Sequence, residues 1–347
     1  MSLRKGLTVL LSGALAATTA GWGQLAPSPD APPVSTAPAP PPDQTPVATF
    51  KLNVNLVDVF FTVTDKNGNL MPHLTQDQCH IAEDNVPQTM KSFVAENNQP
   101  LTLGLLLDTS GSQINVLPLE QQAGSRFLDR VLRSKDEAFL LSFDVNVDML
   151  QDFTSSAREL ARAMDSARIN TGGTGGVGIP GMGGGTVPSV GDPKGTVLYD
   201  AVYLAANQKL NQETGRKAMV LLTDGEDEGS TTKLNESIAA AQKSNVIVYV
   251  ILIADPGFYG GFGYSGFSTM KRLTEQTGGR LINVGSNADK LEAAFGQIED
   301  ELRTQYVATY TPTNTKLDGT FRHIEINCGK GLKVHARSGY FAPSAGS

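Results

Sequence analysis

Four short runs of unbroken apolar residues set what this chain can become. They are "LTLGLLL" (101–107), "AFLLSF" (138–143), "AMVLLT" (218–223) and "VIVYVILI" (246–253). None alternates as a strand with one wet face must. Continuous runs of this length suit parallel strands covered on both sides. Helical spacings separate them. Leu119, Ala123, Phe127 and Val131 recur at every fourth position, with Leu128 and Leu132 alongside. Leu234, Ile238 and Ala241 mark a second helix, and Leu291, Ala294, Phe295, Ile298 and Leu302 another. "DVNVDMLQDF" (144–153) reads as a hairpin return, hence one antiparallel edge strand. The expected architecture is a doubly wound α/β domain over 99–303.

Strand patterns return on both flanks, 48–98 and 304–343, which together should form one small β module, because domain termini tend to lie close together. In "FKLNVNLVDVFFTVTD" (50–65) the apolar parity changes between Leu56 and Val57, which implies a bulge or a change of face. "DKNG" (65–68) reads as a hairpin turn. It is not an EF-hand loop, because its glycine comes two positions early and no glutamate follows at the twelfth place. Further strands are expected at 79–82 and 89–94, then in "QYVATY", "FRHIEINC" and "KVHARSGYF". By parity His323 and His335 should face solvent. Cys79 shares parity with Ile81, and Cys328 with Ile324 and Ile326, so both point inward, as two buried thiols or as a disulfide.

Residues 1–23 carry a basic start (Arg4, Lys5), an apolar run and small residues, the pattern of a cleaved secretory signal peptide. The apolar run is short for a membrane span. Residues 24–47 form a proline-rich linker that cannot bury a core. The expectation is an exported protein, periplasmic, secreted or at the cell surface, with no membrane span after cleavage. The formal charge of −7, more negative still without Arg4 and Lys5, argues against nucleic acid as a partner.

The first apolar run ends in "DTSGS" (108–112), and the third in Asp224. In a doubly wound sheet, ligands bind beyond the carboxyl ends of strands where the winding reverses. If those two strands are neighbours, Asp108 and Asp224 face each other across that crevice. Thr196, in "KGTVLYDAV" (194–202), opens a helix with its hydroxyl free. Asp108, Ser110, Ser112, Thr196 and Asp224 then offer two carboxylates and three hydroxyls. With no His or Cys, zinc and copper are disfavoured. All-oxygen donors suit Mg2+, with Mn2+ or Ca2+ as competitors. One exchangeable water on such an ion leaves room for a carboxylate from outside.

Catalysis finds no carriers. Phosphoryl transfer through Asp108 would want a second aspartate where Ser110 stands. No G-x-S-x-G elbow occurs, and all four histidines lie outside the α/β domain. Neither glycine-rich insertion, 170–195 nor 255–268, has the G-x-G-x-x-G arrangement of a dinucleotide site. The run Glu226, Asp227, Glu228 reads as a solvated loop.

D-T-S-G-S at 108–112, G-T-x-L-Y-D-A at 195–201 and L-L-T-D-G at 221–225 together resemble the metal-ion-dependent adhesion site of von Willebrand factor type A (VWA) domains. The resemblance covers about 99–303. It implies a six-stranded, mostly parallel sheet. It implies Ser110, Ser112 and Thr196 as direct ligands, with Asp108 and Asp224 acting mainly through water. It also implies a non-enzymatic adhesion or interaction protein whose ion meets an acidic side chain of a protein partner. The alternative is an envelope or assembly scaffold in which the metal only stabilises the loops. The flanks, "LTQDQCHIAEDNVPQTMKSF" and "RTQYVATYTP" onward, more loosely resemble a bacterial VWA-related family of acidobacteria. The 170–195 insertion precedes Thr196 and so bears on access to the site. Phe258, Tyr259, Phe262, Tyr264 and Phe267, in the aromatic loop, either form a partner-contact surface or pack on the domain itself.

Overall fold

The computed structural model describes residues 56–96, 99–169, 195–254 and 266–344. The leader, the linker, most of the first insertion and residues 255–265 lie outside the described residues. The first flank supplies β1 (Val57–Thr64), β2 (His80–Glu83), β3 (Val86–Gln88) and β4 (Met90–Glu96). The α/β layers comprise β5 (Leu101–Asp108), α1 (Leu117–Val131), β6 (Glu137–Phe143), β7 (Val147–Thr154), α2 (Ala157–Ser166) and α3 (Leu198–Leu204). They continue with β8 (Arg216–Thr223), α4 (Leu234–Lys243), β9 (Val246–Leu252), α5 (Gly266–Thr277), β10 (Leu281–Asn283) and α6 (Ala288–Arg303). The second flank adds β11 (Gln305–Tyr310), β12 (Phe321–Asn327), β13 (Lys333–Ala336) and β14 (Gly339–Phe341).

The central sheet has six strands in the order β10-β9-β8-β5-β6-β7. Every pairing is parallel except β6 with β7, the expected antiparallel edge. All residues of β5 and β9 are buried, as unbroken apolar runs demand. On one face Leu103, Leu105 and Leu107 meet Phe127 and Leu128 of α1 and Phe295 and Ile298 of α6. The Phe127 and Phe295 rings stack with centroids 4.7 Å apart. On the other face Leu106, Leu221 and Val250 meet Leu198 and Ala201 of α3, Ile238 of α4 and Met270 and Leu273 of α5. Each fully buried Leu or Phe of this kind contributes about 1.5–3 kcal/mol of transfer free energy.

The flanks build two antiparallel sheets, β13-β1-β11-β4 and β14-β12-β2-β3. Both interleave strands from the two ends of the α/β segment. Cys79 and Cys328 are disulfide-bonded (S–S 2.06 Å, Cα–Cα 4.0 Å), across a sequence separation of 249. The parity change near Leu56 has another cause than a bulge. From Val57 the pairing of β1 with β11 runs without a shift, and the strand is buried on both faces. Val59, Phe61 and Val63 enter the interior of the flank sheets. Phe60 and Val307 join the α/β core instead.

Two turns match their residue types. Asp84 and Asn85 hold φ of 47° and 66°, the left-handed pair a two-residue hairpin requires. Asp65 accepts backbone hydrogen bonds from Asn67 (2.7 Å) and Asn69 (2.9 Å), closing the "DKNG" turn. One expectation fails. His335 is half-buried, not solvated. It lies 3.3 Å from the Thr64 hydroxyl, and burial, then the charges of Arg280 and Lys333, lower its pKa to about 4.

Candidate metal centre

From β5 the chain winds outward through β6 and β7, then returns across β5 to lay down β8, β9 and β10. The winding therefore reverses between β5 and β8, and a crevice opens beyond their carboxyl ends. Leu107 pairs with Leu222 in register, so Asp108 stands beside Thr223, and Asp224 follows at once. The loop after β5 makes a single 3-10 turn at Gly111–Gln113, with Ser110 in extended conformation before it. That bend turns both serines toward the end of β8. Ser110 Oγ lies 3.0 Å from Ser112 Oγ, and Ser112 Oγ donates to Asp224 Oδ2 at 2.5 Å. The Ser110 amide donates to Asp108 Oδ1 at 3.0 Å, and the Thr223 hydroxyl to Asp108 Oδ2 at 2.6 Å. Four of the five predicted ligands thus form one hydrogen-bonded cluster.

Thr196 arrives differently. Helix α3 begins at Leu198, two residues later than expected, so Thr196 sits in the approach to the helix. Its carbonyl accepts from the amides of Glu228 (3.1 Å) and Gly229 (3.3 Å). The Val197 amide donates to the Asp144 carbonyl at 2.7 Å, while Thr109 donates through its hydroxyl to Asp144 Oδ2 at 3.2 Å. Asp144 therefore ties the loop after β5 to the Thr196 segment. Among the described residues no hydrogen bond joins the Thr196 hydroxyl to the other four ligands; the link runs through Asp144.

The acidic run after Asp224 is not merely solvated. Asp227 accepts from the Tyr199 amide at 3.1 Å and so caps the first turn of α3, and Ser230 bonds to the same carboxylate oxygen at 2.5 Å. Glu226 Oε1 accepts from the amide of Gly266, at the start of α5, at 2.8 Å. Only Glu228 is exposed. The turn behind Asp224 needs its glycines: Gly225 has φ +84°, and a Cβ on Gly266 would stand 2.5 Å from the Asp224 carbonyl oxygen.

Electrostatics separate this cluster from an ordinary polar loop. Asp108 is fully buried, and its pKa is pushed up to about 7, first by burial and then by the charge of Asp224. The Thr223 and Ser110 hydrogen bonds oppose that shift. A further acid, absent from the five, stands close by. Glu120 of α1 is 0% exposed, and among the described residues neither carboxylate oxygen has a hydrogen-bond partner. Burial, then the charges of Asp108 and Asp224, raise its pKa well above the ordinary range.

This donor set fits a small hard cation. Adjacent oxygens on an octahedral Mg2+ with bonds of about 2.1 Å stand roughly 3 Å apart. The Ser110–Ser112 spacing of 3.0 Å matches that edge. Among the described residues no group of three or more His, Cys, Asp or Glu is arranged to hold a metal, so an ion here depends on the hydroxyls. A groove of about 850 Å³ lies elsewhere, between the flank strands and α4, and includes none of the five. Of the aromatic-loop candidates, Phe258, Tyr259, Phe262 and Tyr264 lie outside the described residues. Phe267 stands in the first turn of α5 and is 44% exposed.

No protein-family model matches this chain, and no curated protein matches it. Several solved structures are similar to it in part. With BatB, a conserved hypothetical protein of Bacteroides thetaiotaomicron, the TM-score is 0.43 at 18% identity, over 58% of this chain and 98% of that one. With proximal thread matrix protein 1 of the mussel byssus, solved with zinc in its MIDAS motif, it is 0.45 at 16% identity, over 64% of this chain and 50% of that one. With the PilB minor pilin of Streptococcus sanguinis it is 0.41 at 14% identity, over 59% of this chain and 62% of that one. The chain spans about half of the mussel protein and under two thirds of the pilin. Likenesses at TM-scores below 0.5 say nothing about which metal or partner this chain takes.

Proposed function

We propose that this chain is an exported, VWA-like interaction protein whose crevice between β5 and β8 holds a divalent cation and, through it, a protein partner. Ser110, Ser112 and Thr196 would bind the ion directly; Asp108 and Asp224 would hold its waters. Mg2+ is the favoured ion, with Mn2+ or Ca2+ as competitors. The ion supplies a Lewis-acidic position, and an acidic side chain of the partner occupies it. The reading is of binding, not catalysis. Export rests on the leader sequence. Among the described residues no helix is long and apolar enough to cross a membrane.

One observation carries the reading: the hydroxyl–carboxylate cluster of Ser110, Ser112 and Asp224 beside a buried Asp108. Its test is partner capture by the intact protein with EDTA, then with added Mg2+. The expected result is loss and recovery of binding, both abolished by Asp224→Ala. Capture that ignores EDTA would exclude the metal bridge. If EDTA lowers Tm yet leaves capture intact, the metal serves only as a brace for the loops, the scaffold alternative.

A further inference from the structure

Glu120 is the least expected residue near the crevice. It occupies the first turn of α1, on the face that buries Leu117, Ala123 and Phe127. It is fully buried, and both its oxygens lack hydrogen-bond partners among the described residues. The helix N-terminus favours an acid at this position only weakly. The charges that act on Glu120 are Asp108 and Asp224, both of its own sign. Among the described residues, a carboxylate in that setting has no stabilising partner.

The neighbourhood connects it to the predicted ligands. Gln113 donates from Nε2 to Ser112 Oγ at 3.4 Å and to the Ile253 carbonyl at 3.5 Å. Ile253 and Glu120 line one small void of about 10 Å³. That is room for about one water. The Gln113 side-chain oxygen is itself buried and without a partner among the described residues. Ser112, Gln113, Ile253 and Glu120 thus form a contiguous path inward from the crevice.

We propose that Glu120 is a third acidic group of the metal centre, a positioning residue that acts through bound water and strengthens cation binding. This rests on the metal reading above. Direct ligation is disfavoured, because no three acids among the described residues stand close enough to hold an ion together. Groups behind metal ligands commonly change metal affinity 10- to 100-fold.

The test is Mg2+ titration of the intact protein by calorimetry, with thermal unfolding in EDTA and in Mg2+. Wild type is compared with Glu120→Gln and with Glu120→Met, which keeps the length and carries no charge. Both variants should bind Mg2+ about 10-fold or more weakly. Both should melt higher than wild type in EDTA, because an unpartnered acid is gone, and gain less on adding Mg2+. Variants with wild-type affinity and an unchanged Mg2+-induced Tm gain would overturn the role of Glu120 while leaving the metal site standing. A wild type that takes up no cation would instead overturn the metal reading itself.

Discussion

Two regions of this molecule bury acids, and they treat them differently. Among the flank strands Glu83 is 2% exposed and accepts hydrogen bonds from the Tyr310 hydroxyl (2.7 Å) and the Tyr340 hydroxyl (3.0 Å). Near the amino end of the central sheet, Glu301 is 1% exposed and bonds to Arg280 at 2.6 Å. Among the described residues each keeps one oxygen without a partner. Each also has one oxygen served by a side chain of this same chain. At the carboxyl ends of β5 and β8 the buried acids stand beside like charges instead. Asp108 is held by hydroxyl and amide donors but faces the like charge of Asp224, and Glu120 has no donor among the described residues. Burying an acid with its own counter-group builds structure. Burying acids against one another favours something positive from outside.

The largest expected effect tests the self-sufficient region. Replacing Cys79 and Cys328 together with serine releases a cross-link spanning 249 residues. Urea unfolding should show a loss of about 2–5 kcal/mol, the same in EDTA as in Mg2+. A loss seen only in EDTA would mean that the flank sheets and the crevice share their stability.

Glu301→Ala comes next. It removes the carboxylate partner of the half-buried Arg280, and the expected cost is about 2 kcal/mol. This cost should also ignore Mg2+. A Mg2+-sensitive cost would remove the contrast between the two regions.

The smallest effect is a pH dependence. Between about pH 5.5 and 7 the carboxylates of the unfolded chain are ionised, whereas Asp108 and Glu301 (each about 7) and Glu120, which burial raises well above the ordinary range, still hold protons in the folded, metal-free protein. At these groups the folded state then binds more protons, so their contribution to stability must fall as pH rises from about 5.5 to 7. Each proton so held contributes at most about 1.4 kcal/mol per pH unit. His335 works the other way in the lower part of this window, because it is neutral in the fold but charged below about pH 6.5 in the unfolded chain. Added Mg2+ should flatten the part of the slope due to Asp108 and Glu120 and leave the part due to Glu301. Equal slopes with and without Mg2+, read by thermal melts across pH, would remove any ion from the strand ends.

The sheet was readable in the sequence because continuous apolar strands and four-residue helical spacing leave few alternatives. The juxtaposition of Asp108 with Asp224 was readable for the same reason, since neighbouring parallel strands end together. Glu120 was not. An acid within an amphipathic pattern reads as part of the wet face, and only the packing of α1 shows that it faces inward. Asp144 was missed because its role is to join two loops far apart in sequence. The partition of the flanks into two sheets depends on long-range pairing, such as Ile81 with Ile326, that no local pattern encodes. His335 broke the alternation rule because both faces of its neighbour β1 are covered.

The most direct measurement is Mg2+ titration of the EDTA-stripped intact protein by calorimetry, with Mn2+ as a second ion. The structure predicts saturable uptake of one ion per chain, lost in Asp224→Ala, with a rise in Tm on loading. No heat of binding and no Tm shift with either ion would contradict the central claim.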